Sequence, residues 1–100
     1  MFSKLKQFKD LRDQGKKLQG ALEGETVTVS ELGNKVVLIM DGNMRISGLT
    51  IDKEVMNPAN KEKVEKAIKN AHDEALKKMQ RIIANKMQAM GMDLPGMGTK

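Results

Sequence analysis

Three short strand patterns, running from Val27 to Asp52 and flanked on both sides by lysine-rich helical patterns, limit this chain more than any other feature. Val27 and Val29 alternate with Thr26, Thr28 and Ser30, the period of a strand buried on one face. Gly33-Asn34 marks a turn. Val36 to Met40 is apolar on both faces, as expected of a central strand covered on two sides. Asp41-Gly42 predicts a two-residue hairpin. A third strand opens with Met44 and Ile46 on one face and changes phase to Leu49 and Ile51. Gly48 sits at the change, where a bulge and a simple strand break fit equally well. Strands this short make no core alone and need another element packed on them. The expected fold class is α+β in the order α-β-β-β-α, a three-stranded antiparallel sheet with long projecting helices.

The first helix carries Phe8, Leu11, Gly15, Leu18 and Leu22 at 3-4-3-4 spacing, the seam of a packed helix, with Phe2 and Leu5 extending it by a turn. Gly15 costs about 1 kcal/mol against Ala in a helix interior. It either admits another backbone closely or marks a weak point, and close approach is the preferred reading. Gly20 and Gly24 loosen the chain before the strands. Asn57-Pro58 or Asn60 caps the last helix. There Val64, Ile68, Ala71, Ala75, Met79, Ile82, Ile83 and Met90 follow one face. Gly91 ends the helix, which divides the chain into a domain over 1–90 and a flexible tail over 91–100 containing Leu94-Pro95-Gly96.

Helix length leads to an expectation about assembly. A helix over 61–90 would run about 45 Å at about 1.5 Å per residue, against a radius of gyration of about 13 Å for a compact domain of this size. Its end must project, leaving Ile82, Ile83, Met87 and Met90 uncovered unless another chain packs there. Val37 and Ile39, on the second face of the central strand, make the same demand. These six residues form the expected homodimer interface. Met87 and Met90, with Met92 and Met97, also suit an adaptable protein-binding surface.

Charge is segregated along the chain. Residues 1–24 hold six basic and three acidic residues, 25–52 two and four, and 61–90 eight and four, within a net charge of +5. Basic helices around an acidic strand block suit a polyanion such as nucleic acid, or simply a lysine-rich solvated surface. In the last helix Glu62–Lys66, Glu65–Lys69, Asp73–Lys77 and Glu74–Lys78 stand at the favourable i,i+4 spacing. That pairing leaves Lys61, Lys63, Arg81 and Lys86 as surplus near the helix ends. With Lys4, Lys6, Lys9, Arg12, Lys16 and Lys17 of the first helix, they are the candidate phosphate contacts, which bind with strong salt dependence and little sequence information. Arg12, Arg45 and Arg81 are the arginines with reach enough for bases.

Other chemistry has little support. There is no cysteine, and His72 is the single histidine, so neither a zinc site nor a nucleophile constellation is assembled. The carboxylates are scattered, and Gly42 and Gly48 precede no phosphate-cradling motif. Two Phe without Trp or Tyr count against base stacking on single strands. No run approaches the roughly 20 apolar residues of a membrane span, and MFSKLKQFKD lacks the apolar run of a signal peptide. The expectation is a cytoplasmic, non-enzymatic protein with no cofactor, metal, membrane partner or small-molecule substrate.

The block GETVTVSELGNKVVLIMDGNMRISGLTID, the Asn57-Pro58 turn, the helix KVEKAIKNAHDEALKKMQRII and the ending MGMDLPGM resemble the YbaB/EbfC family of bacterial nucleoid-associated proteins. The resemblance runs over nearly the whole length. It implies a homodimer whose sheets join and whose helices project as tweezer arms, binding to double-stranded DNA, and a role in nucleoid organisation or gene regulation. The first helix is richer in Lys and poorer in Gln and Met than in many relatives, and Asn57-Pro58 replaces the usual acidic turn. The function expected from residues and resemblance together is double-stranded DNA binding by a dimer. The alternative is a protein-interaction adaptor working through projecting Met-bearing helices.

Overall fold

The computed structural model describes the backbone of residues 2–91 and the side chains of residues 6–91. The expected tail beyond Gly91, with Met92 and Met97, lies outside the described residues. Helix α1 (Phe2–Leu22) leads into strands β1 (Thr26–Glu31), β2 (Val36–Asp41) and β3 (Ile46–Ile51). Two short 3-10 turns, Lys53–Val55 and Pro58–Asn60, then precede helix α2 (Lys61–Ala89). This is the expected α-β-β-β-α order, with an antiparallel sheet in the order β1-β2-β3.

The core lies between one face of the sheet and α2. Val27, Val29, Leu38 and Met40 point to that face and are buried with Ala71, Ala75 and Met79. Buried α2 residues Ala67, Ala71, Ala75 and Met79 recur every fourth position. Three of them are alanines, so the helix axis can approach the pleat closely. Ala67 thus takes the buried place expected of Ile68, which is half-buried.

Local details correct several expectations. Gly24 has φ +88 and closes α1, while Gly20 lies inside it. The Asp41-Gly42 turn is a three-residue loop: the Met44 amide donates to the Asp41 carbonyl at 2.9 Å and Met44, not glycine, takes the left-handed backbone at φ 62. Asp41 Oδ1 supports the loop by accepting from the amides of Asn43 and Arg45 at 2.9 and 3.0 Å. The phase change in β3 is a bulge: Ile39 faces Gly48 and Met40 faces Ile46, so Ser47 is the extra residue. Asn57 caps the 3-10 turn before α2, its side chain accepting from the Asn60 amide at 3.1 Å, while Asn60 makes no side-chain cap bond.

The molecule is elongated, 63 × 26 × 21 Å with a radius of gyration of 18.2 Å, but the projecting part is not the expected one. Met87 is only 9% exposed, and Ile82 and Ile83 pack partly buried against the core. Lys86 reaches Glu25 at 3.1 Å, tying this end of α2 to the segment before β1. The end of α2 is therefore covered within its own chain. It is α1 that stands free: every described residue from Lys6 to Lys17 is exposed, Phe8 at 73% and Leu11 at 64%, and burial begins at Leu18. A Cβ placed at Gly15 would have nothing within 4 Å, so the close approach expected there is not made among the described residues.

Candidate nucleic-acid interface

On α1, Lys6, Lys9, Arg12, Lys16 and Lys17 are all exposed. Lys4 lies on the same helix, outside the residues whose side chains are described. At about 100° per residue, Lys6, Lys9, Lys16 and Lys17 fall on the side of α1 away from the Phe8–Leu11–Gly15 seam. Over 6–17 the helix separates its apolar and cationic sides, whereas Lys4 falls at the angle of the seam.

On α2 the ion pairs differ from those expected from spacing. Glu74–Lys78 forms at 3.4 Å, but Glu65 turns back to Lys61 at 2.7 Å rather than forward to Lys69. Two of the four surplus cations are thereby engaged, Lys61 with Glu65 and Lys86 with Glu25. Lys63 and Arg81 are exposed and have no ion-pair partner among the described residues; the same holds for Lys66 and Lys77, for which spacing favours Glu62 and Asp73. At helical periodicity Lys63, Lys66, Lys77 and Arg81 share one side of α2, a stripe about 27 Å long at 1.5 Å per residue. Sequence reasoning misses Lys66 and Lys77 because spacing identifies possible pairs rather than formed ones: Asp73 has Lys69 and Lys77 within reach, and Glu62, with Lys66 alone at i±3 or i±4, still makes no ion pair with it among the described residues. Exposed pairs of this kind are worth little energetically, so the choice between partners rests on small differences.

The strand block has a different character. On its α2 side Ile46 and Leu49 remain 48% and 44% exposed, although their cross-strand partners Met40 and Leu38 are buried. On the opposite face Val37 and Ile39 are half-buried, Ile39 lying across Gly48. An open, apolar cleft of about 460 Å³ runs along Val55, Met56, Asn57, Pro58, Lys61, Val64 and Glu65. Lys35 pairs with Glu54, linking the start of β2 to the turn after β3. That hydrogen bond, helped by the charges of Glu54 and Asp52 and opposed by partial burial, raises the Lys35 ammonium above its usual 10.5. His72 Nδ1 lies 3.8 Å from Asp73 Oδ1, a neighbour on the same helix. Among the described residues, no group of three or more His, Cys, Asp or Glu could hold a metal ion, and no helix is long and apolar enough to cross a membrane.

Two helices that present exposed cations without ion-pair partners among the described residues, beside a small acidic strand block, place this chain in the α+β class. Comparison with known proteins makes this specific. The sequence model of the YbaB/EbfC DNA-binding family matches residues 1–94. A nucleoid-associated protein of Syntrophobacter fumaroxidans is 29% identical over 98 residues, covering 96% of this chain and 89% of that protein. Nucleoid-associated proteins of Exiguobacterium sibiricum and Gemmatimonas aurantiaca are 34% and 31% identical, covering 81% and 95% of this chain and 78% and 93% of theirs. The chain belongs to the YbaB/EbfC DNA-binding family.

Proposed function

We propose that this protein is a homodimer that binds double-stranded DNA mainly through phosphate contacts from its two basic helices, and that it acts in nucleoid organisation or gene regulation. The observation that carries this reading is the pair of exposed cation stripes without ion-pair partners among the described residues: Lys6, Lys9, Lys16 and Lys17 on α1, and Lys63, Lys66, Lys77 and Arg81 on α2. Arg12 flanks the first stripe; Lys61 and Lys86 are secondary, because each already has an acidic partner. The relatives' names supply the nucleoid, and so the cytoplasm, as its place of work.

The dimer is supported by apolar surface left open on one chain, chiefly Ile46, Leu49, Met44 and Met56, with Val37 and Ile39 behind them. Ile82, Ile83 and Met90 keep partial exposure and stay candidates; Met87, already buried, contributes to the monomer's core instead. Of the four methionines of the adaptor reading, Met87 is buried and Met90 half-buried, while Met92 and Met97 lie outside the described residues.

Gel shifts across a salt series test the proposal. Affinity for unrelated duplexes of equal length should be similar and should fall steeply with salt. Charge reversal at Lys4, Lys6, Lys16, Lys17, Lys63 and Arg81 together should abolish the shift. Unchanged affinity in that variant would reject the assigned surface.

A further inference from the structure

Helix α2 roofs only part of its side of the sheet. A helix is about 10 Å across and strands lie about 4.8 Å apart, so one helix covers about two strands. Here those are β1 and β2, whose inward residues are buried, while Ile46 and Leu49 of β3 lie open beside them. The uncovered strip is apolar and one strand wide, at the edge of the sheet, where a helix can lie and overhang the edge.

The same chain has a helix whose first half is covered by none of the described residues. The seam of α1 is open at Phe8 and Leu11. Its own β3 is out of its reach, because its last turn is fixed where Leu22 packs on Gly42 and the rest of it leads away exposed. We propose that α1 of a second copy lies over β3, reciprocally in the two chains, seating Phe8 and Leu11 on Ile46 and Leu49. The inference rests on the dimer reading above and names the segment that closes each core.

Three observations favour this occupant. The exposed stretch 6–17 is about 18 Å long as helix, and a six-residue strand such as β3 spans about 20 Å, so the two match in length. Two α1 helices laid together would bring like charge together, whereas β3 carries no charged residue and does not repel α1. With the seam turned inward, Lys6, Lys9, Lys16 and Lys17 stay outward, so the contact does not consume these four cations. A reciprocal exchange is isologous and closes at two chains.

The chain has no cysteine, so Leu11→Cys and Leu49→Cys each introduce a single handle at an exposed position. The two variants are mixed, left to exchange subunits, and treated with a short bifunctional maleimide. Covalent dimer is expected from the mixture and not from either variant alone. Linkage of Leu49→Cys to itself, as in edge-to-edge sheets, or of Leu11→Cys to itself overturns the proposal. So does a dimer in sedimentation with no mixed link, which leaves the dimer reading standing; a monomer at micromolar concentration removes both. Leu11→Glu provides the second measurement. It should keep the far-ultraviolet circular dichroism of the monomer fold and weaken dimerisation by about tenfold or more; an unchanged dimer again overturns the contact.

Discussion

A Cβ placed on Gly42 would stand 2.2 Å from the Leu22 carbonyl oxygen and 2.9 Å from the Leu22 Cβ. Both are atoms that a side-chain rotation cannot move. Gly42 lacks the positive φ that turns often ask of glycine, so its role is space: it lets the buried end of α1 rest on the β2–β3 loop. Gly42→Ala should therefore cost about 1–3 kcal/mol in urea denaturation, the range for overpacking, and should loosen the junction of α1 as well. A loss within experimental error would mean that the junction yields freely. Lys35 makes a prediction of the opposite kind, about pH. Its folded pKa is raised, mainly by the hydrogen bond it donates to Glu54. A raised folded value contributes stability that is complete below the unfolded value of about 10.5 and is lost as pH climbs through the folded value. Wild type should thus lose more stability than Glu54→Gln on moving from neutral pH to above 10.5. Parallel curves for the two would remove the pair from the account.

Among the elements, α2 depends on small residues where it crosses the sheet. Ala71 and Ala75 are fully buried between Val27, Val29, Leu38 and Met40. Ala75→Leu would insert three carbons into a closed layer and should cost about 1–3 kcal/mol by displacing the helix; Lys78, one turn on and exposed, should accept Leu with less than about 0.5 kcal/mol of change. Equal effects at the two positions would show that the layer has slack. This layer is legible in sequence because alternation in β1 and every-fourth spacing in α2 state directly which side is apolar. What periodicity does not state is depth. The seam of α1 has the same 3-4-3-4 form whether covered or bare, so nothing in Phe8 or Leu11 says that they stand open while Met87 is buried and Ile82 half-buried. Gly42 misleads for a related reason: Asp-Gly signals a tight hairpin, and the residue that adopts left-handed backbone is Met44, a type carrying no such signal. The cation stripe is half legible, since Lys63 and Arg81 have no acid at favourable spacing but Lys66 and Lys77 do.

For the whole molecule, the arrangement of two stripes per chain makes the DNA interaction countable. Removing one cation that neutralises a phosphate should lower the slope of log affinity against log salt by about 0.9. Replacing Lys63, Lys66, Lys77 and Arg81 with Gln removes four charges per chain, so a dimer that uses them all would lose about seven in slope. Replacing Lys6, Lys9, Lys16 and Lys17 asks the same of α1. If one duplex meets both helices of a dimer, the losses in log affinity should add when the sets are combined, because groups well separated in space act independently. If DNA meets only one helix, one set will leave affinity and slope untouched, and the combined variant will behave like the other set alone. We expect both sets to matter and their effects to be alike on unrelated duplexes, because contacts of lysine with phosphate carry no base information. A slope that stays at the wild-type value with all eight positions replaced would show that these stripes are a solvated surface and that the DNA-binding face lies elsewhere.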